Sequence, residues 1–143
     1  MNSTSKHQRV ECTFPARLEA LKDIRLFIEM HCMQWGVSKR QCWALVLACD
    51  EICSNIIRHG YRLIDGETLS LGLSMDEHSC SVTIRDTAPP FNPVRMPRRE
   101  FNLARSGHGL DLANRVARIV YLPKRGRRCY NITSISVPIV ETD

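Results

Sequence analysis

Glu51, Asn55 and Arg58 stand four and three residues apart inside the stretch Leu45–Tyr61, and they are the residues of this chain best placed for joint chemistry. On a helix that spacing stacks them along one stripe. Val46, Cys49, Ile52, Cys53, Ile56 and Ile57 recur with helical period around them, which predicts a helix with one side in a core. An acid and an amide so placed can hold a hydrated metal ion and polarise a hydroxyl. Mg²⁺ needs few protein oxygens and keeps its waters, so one Asn oxygen completed by substrate phosphates makes an adequate site. Taken alone, the same spacing also describes a solvated polar helix face.

Two downstream stretches carry chemistry of their own. In Ile84–Pro93 a carboxylate, Asp86, closes an alternating run and is followed by Thr87, Ala88 and a rigid proline turn. Such a carboxylate can accept a hydrogen bond from a buried ligand amine, and the small residues let a flat ring approach the backbone. The same residues also describe a strand ending in a proline loop. Further on, Ser106-Gly107-His108-Gly109-Leu110 leads into a helix. Glycines there bring backbone N–H groups and a helix N-terminus close to an anion, a setting that suits phosphate.

These three stretches need a scaffold. Val10, Cys12 and Phe14 alternate, which predicts an edge strand over 7–14. Pro15 fits the first turn of a helix running to about Trp35, with Leu18, Leu21, Ile24, Ile28, Cys32 and Trp35 as its buried stripe and Gly36 as its end. Ser38 with Gln41 three residues on is a capping box, and Val37 can staple against Cys42. The second helix then carries the central stretch and stops at His59-Gly60. Strands are predicted over 67–75 and 80–85, a long loop over 87–106, a helix over 110–117 and a final hairpin over 118–123 and 129–138. The order predicts an α+β fold: a two-layer α/β sandwich with helices on one face of a mixed, mostly antiparallel sheet, forming one domain over residues 1–143.

At 143 residues the chain is long enough for one substantial core. No apolar run is long enough to span a bilayer, and 1–8 lacks the apolar centre of a signal peptide, so the expected location is cytoplasmic, with no membrane partner. Seven cysteines without a C-x-x-C pair read as buried free thiols; Cys49 and Cys53 are helically spaced, but no second pair completes a metal site. The net charge of +5 raises a nucleic-acid partner. The basic clusters, Arg95–Arg105 and Lys124–Arg128, have neither aromatic interleaving nor a DNA-binding motif, so no direct nucleic-acid contact is expected.

In order and spacing the three constellations resemble the N, G1 and G2 boxes of the GHKL ATPase superfamily (gyrase, histidine kinase and MutL type). They resemble most the small bacterial anti-sigma-factor serine/threonine kinases of the partner-switching type. Asp50-Glu51-x-x-x-Asn55-x-x-x-His59-Gly60-Tyr61 and Pro89-Pro90-Phe91-x-Pro93 are the most specific parts. The resemblance implies ATP with Mg²⁺ as cofactors, Asn55 as metal ligand and Glu51 as catalytic base on a serine hydroxyl or water. It also implies Asp86 and Ala88 at adenine, Thr133 assisting there through its hydroxyl, and Gly107, His108, Gly109 and Leu110 around the phosphates. Arg105 is a phosphate candidate on charge alone. The implied partners are an anti-anti-sigma (STAS-type) protein and a sigma factor, with a possible homodimer. The chain departs from the pattern at Ala88, where the family has glycine, at Asn92, where it shows Asp, and at Ser106. A module on the same fold that only sequesters a partner is the alternative.

Overall fold

The structure, a computed structural model, describes residues 7–90 and 108–139, with the backbone alone for 108–110. Strand β1 (Gln8–Pro15) leads through a 3-10 turn (Leu18–Ala20) into helix α1 (Leu21–Gln34). Helix α2 (Lys39–Asn55) continues into a π-helical turn (Ile56–Gly60). Strands β2 (Thr68–Met75) and β3 (Ser79–Asp86), helix α3 (His108–Val116) and strands β4 (Arg118–Leu122) and β5 (Asn131–Pro138) complete the described chain. The five strands form one sheet in the order β1-β2-β3-β5-β4. The fold is α+β, as the pattern predicts. Every pairing among the described strands is antiparallel.

One face of the sheet is buried. Leu69, Leu71 and Leu73 of β2, Val82 and Ile84 of β3, and Ile135 and Val137 of β5 point inward, alternating with half-buried Ser, Thr and Gly on the opposite face. Against them lie Ile24, Ile28 and Cys32 of α1 and Leu45, Cys49, Ile52 and Cys53 of α2. Each fully buried Leu or Ile contributes roughly 1.5–3 kcal/mol relative to leaving it in water. Helix α2 is the hub, touching α1, α3, β3 and β5.

Local signals set most boundaries. Gly36 takes φ +75°, a left-handed conformation that favours glycine, and it separates α1 from α2. Ser38 caps α2: its Oγ accepts from the Gln41 backbone N–H at 3.1 Å and pairs with the Gln41 side chain.

Three local expectations are corrected. Pro15 is the last residue of β1, opposite Thr68, and does not start a helix. It has no N–H to offer a ladder, and the end of an edge strand tolerates that loss. Gly60 does not stop α2 by a left-handed turn. It lies inside the π-helical turn, and the positive φ values fall on Arg62 (58°) and Leu63 (63°). Finally, α3 already includes His108 and Gly109, so these residues form its first turn and do not precede it. Among the described residues no helix is long and apolar enough to cross a membrane.

Candidate functional site

The inner sheet face changes character at one end. On β3 the inward residues run Cys80, Val82, Ile84, Asp86, and on β5 they run Asn131, Thr133, Ile135, Val137. Register pairs Asp86 with Asn131 and Ile84 with Thr133, so a carboxylate, an amide and a hydroxyl share one buried corner. All three residues are buried, with Thr133 wholly sealed from solvent.

Asp86 is held in place. Its Oδ1 accepts from Asn131 Nδ2 at 2.8 Å and from the Ala88 backbone N–H at 3.0 Å. Its Oδ2 takes no hydrogen bond from the described residues. Burial pushes the carboxyl above its usual range, while the bonds from Asn131 and Ala88 and the charge of Lys124 act the other way. Thr133 Oγ1 has no hydrogen-bond partner among the described residues. A buried hydroxyl without a partner destabilises a fold, and together with the Asp86 Oδ2 it leaves hydrogen-bonding capacity that a ligand could use. A carboxylate acceptor next to a hydroxyl could take a flat ring carrying an amino group.

Two residues of this corner were not anticipated as site residues. Asn131 also donates to the Ala88 carbonyl at 3.0 Å and accepts from the Lys124 backbone N–H at 2.7 Å, tying three segments together. The Tyr61 hydroxyl donates to Thr68 O at 2.9 Å and accepts from the Thr87 N–H at 2.8 Å, which pins the chain just after Asp86. The signal for Asn131 was present: an amide at the first inward position of a strand whose later inward residues are Thr, Ile and Val. For Tyr61, adjacent to the helix end, sequence gives no sign that its hydroxyl reaches Thr87.

Helix α2 carries Glu51 and Asn55 on its last turns, with Asn55 buried and Glu51 half-buried. Cys53, between them, lies within electrostatic reach of Asp86: its thiol is pushed well up by its bond with Cys49 and by burial, and further by the charges of Asp50 and Asp86. The predicted stripe does not extend to Arg58. The π-helical turn begins after Asn55, and Arg58 is exposed with its Nε bonded to Ser54 Oγ at 3.3 Å. Ala88 is buried and does not have positive φ, so its backbone conformation is one any residue adopts. Asp86, Ala88 and Thr133 are thus brought to one corner. Arg105 and Gly107 lie outside the described residues, and for His108, Gly109 and Leu110 the described feature is the start of α3.

A depression of about 200 Å³ lies on the opposite sheet face over Gly72. It is lined by the exposed Arg9–Glu11 pair and by Arg85, whose buried Nε has no hydrogen-bond partner among the described residues. No group of three or more His, Cys, Asp or Glu gathers as a metal site among the described residues.

A helical layer on an antiparallel sheet, with a buried carboxylate at the sheet's polar end, makes a two-layer α/β sandwich. The model of the histidine kinase-like ATPase domain matches residues 14–134, and the chain belongs to that family. It is a family of ATP-binding, kinase-like domains. No curated protein matches the chain.

Proposed function

We propose that this domain binds MgATP and phosphorylates a protein partner on serine or threonine. The observation that carries the nucleotide reading is the clamped Asp86 carboxylate with a free Oδ2 beside the unpartnered Thr133 hydroxyl. In this reading Asp86 accepts the adenine amino group, Thr133 supplies its hydroxyl to the same ring, and Ala88 lies against its face. Asn55 offers its amide oxygen to Mg²⁺, which neutralises charge on the phosphates when bound. His108, Gly109 and Leu110 present the start of α3 to phosphate, joined by Gly107 and Arg105. Glu51, one turn before Asn55, takes the proton from the attacking hydroxyl.

The proposed partners are a STAS-type anti-anti-sigma protein, as phosphoacceptor, and a sigma factor held by the same domain, in the cytoplasm. A homodimer is the proposed assembly. These readings rest on the resemblance of the Asp50–Tyr61 and Pro89–Pro93 stretches to partner-switching kinases.

Glu51→Gln tests the catalytic step, since it keeps the side chain's shape and removes the base. MgATP affinity by calorimetry is expected to stay within about twofold, while transfer to a serine-bearing STAS partner falls by roughly 10²–10⁴-fold, the span of a positioned general base. Wild-type transfer in the variant would remove Glu51 from the mechanism. Bound MgATP with no transfer by the wild type to any such partner would replace the kinase with a sequestering module.

A further inference from the structure

From Leu112 to Ile139, beyond the exposed Asp111 of α3, every charged residue is basic. Arg115, Arg118, Lys124, Arg125, Arg127 and Arg128 fall between Leu112 and Val140 without one Asp or Glu among them. Two of these have structural work. Arg128 donates to Pro123 O at 2.7 Å and Tyr130 O at 3.1 Å, closing the β4–β5 hairpin, and Lys124 Nζ reaches Thr87 O at 3.3 Å. The other four are exposed. Among the described residues all the ion pairs lie elsewhere, on Arg9, Arg17 and Arg25.

These four arginines bracket a strand edge. β4 is the last strand of the sheet, and among the described strands it pairs only with β5, which makes its other side a strand edge. Arg115 and Arg118 stand at its start, and Arg125 and Arg127 stand in the turn beyond its end. Between them Val120 and Leu122 are 40 % and 48 % exposed, alternating with the inward Ile119 and Tyr121. The edge therefore offers backbone pairing, two apolar side chains on one face and positive charge at both ends.

We infer that β4 is a docking edge for an extended, acidic segment of a partner protein, which adds as a sixth strand with apolar residues over Val120 and Leu122 and carboxylates against the flanking arginines. Strand addition takes affinity from main-chain bonds and specificity from alternate side chains. The charge also selects the occupant: a second copy of this chain would set arginine against arginine, and like charges across a strand pair are destabilising. A nucleic acid would satisfy the charge but leave the edge N–H groups and the apolar pair unused. The inference is independent of the nucleotide site and of the kinase reading.

The test uses the whole chain and a labelled synthetic peptide with glutamates flanking an alternating valine–serine centre, followed by fluorescence anisotropy. The peptide is expected to bind and to weaken as salt is raised. Arg125→Glu with Arg127→Glu should lower affinity by at least about tenfold while MgATP binding is unchanged, because steering and end charges sit on the arginines. A peptide of the same sequence N-methylated on its pairing edge should lose binding to a similar extent. Equal binding of the methylated peptide, of a lysine-for-glutamate peptide, or of the double-arginine variant would overturn the inference. So would tighter binding of single-stranded DNA than of the peptide, which would make the patch a nucleic-acid surface. Retained circular dichroism in the double variant separates lost docking from lost fold.

Discussion

Strands β3 and β5 lie side by side along the same inner face, yet their two ends are built on opposite terms. At one end Cys80, Val82, Ile135 and Val137 are buried and meet the helices through apolar packing, with a thiol hydrogen bond between Cys80 and Cys32 of α1. At the other end the same face and the same pairing place Asp86, Asn131 and Thr133, equally buried. The backbone is common to both ends, so the difference lies in the side chains. An apolar residue at the polar end would stabilise the sheet; a carboxylate pushed up by burial and a hydroxyl with no partner do not. The polar end gives up stability, which under the proposed function is exchanged for binding.

That contrast is open to attack by mutation. Ile135→Ala, at the apolar end, should cost the most stability, roughly 2–5 kcal/mol from lost burial and the cavity left behind. MgATP affinity of the folded fraction should be unchanged; a parallel loss of affinity would show that the two ends are not separable. Asn131→Ala should come next. It leaves the Ala88 carbonyl and the Lys124 N–H without their partner and releases Asp86, for a loss of roughly 2–3 kcal/mol in urea unfolding. Unlike Ile135→Ala it should also weaken MgATP binding, by about tenfold or more.

The smaller effects run in the opposite direction. Asp86→Asn keeps an acceptor for Asn131 and Ala88 and removes a buried charge. The folded carboxyl titrates above its ordinary value of 3.8, so the fold holds that proton more tightly than the unfolded chain does. Its contribution to stability is therefore complete below that value and lost as pH rises through the raised folded one. The variant should melt a few degrees higher than wild type at neutral pH, with the gap closing in acid, and should bind ATP poorly. A gap that widens in acid would reverse the sign of the argument. Thr133→Val should show the smallest change, a gain of about 1 kcal/mol from removing an orphaned hydroxyl. ATP affinity should fall by several-fold; unchanged affinity would detach Thr133 from the ring.

The sequence by itself determined the layers and named most residues of the candidate site. Alternation in Leu69–Leu73 and Val82–Ile84 marks strands because successive side chains face opposite ways, and the Ser38–Gln41 box marks the start of α2 because a hydroxyl must satisfy a free helix N–H. Glu51 and Asn55 were legible as a pair because four residues make one helical turn. Beyond Asn55 that rule fails: the helix widens to a π turn that one-dimensional spacing does not announce, and Arg58 leaves the stripe. Only the tertiary structure decided that Asn131 clamps Asp86. The two are forty-five residues apart, and their meeting depends on β5 pairing with β3 in one register. It also decided that Pro15 ends a strand, since a proline's missing N–H is harmless either in a first helical turn or at a sheet edge. Local chemistry allows both, and long-range pairing with Thr68 selects one.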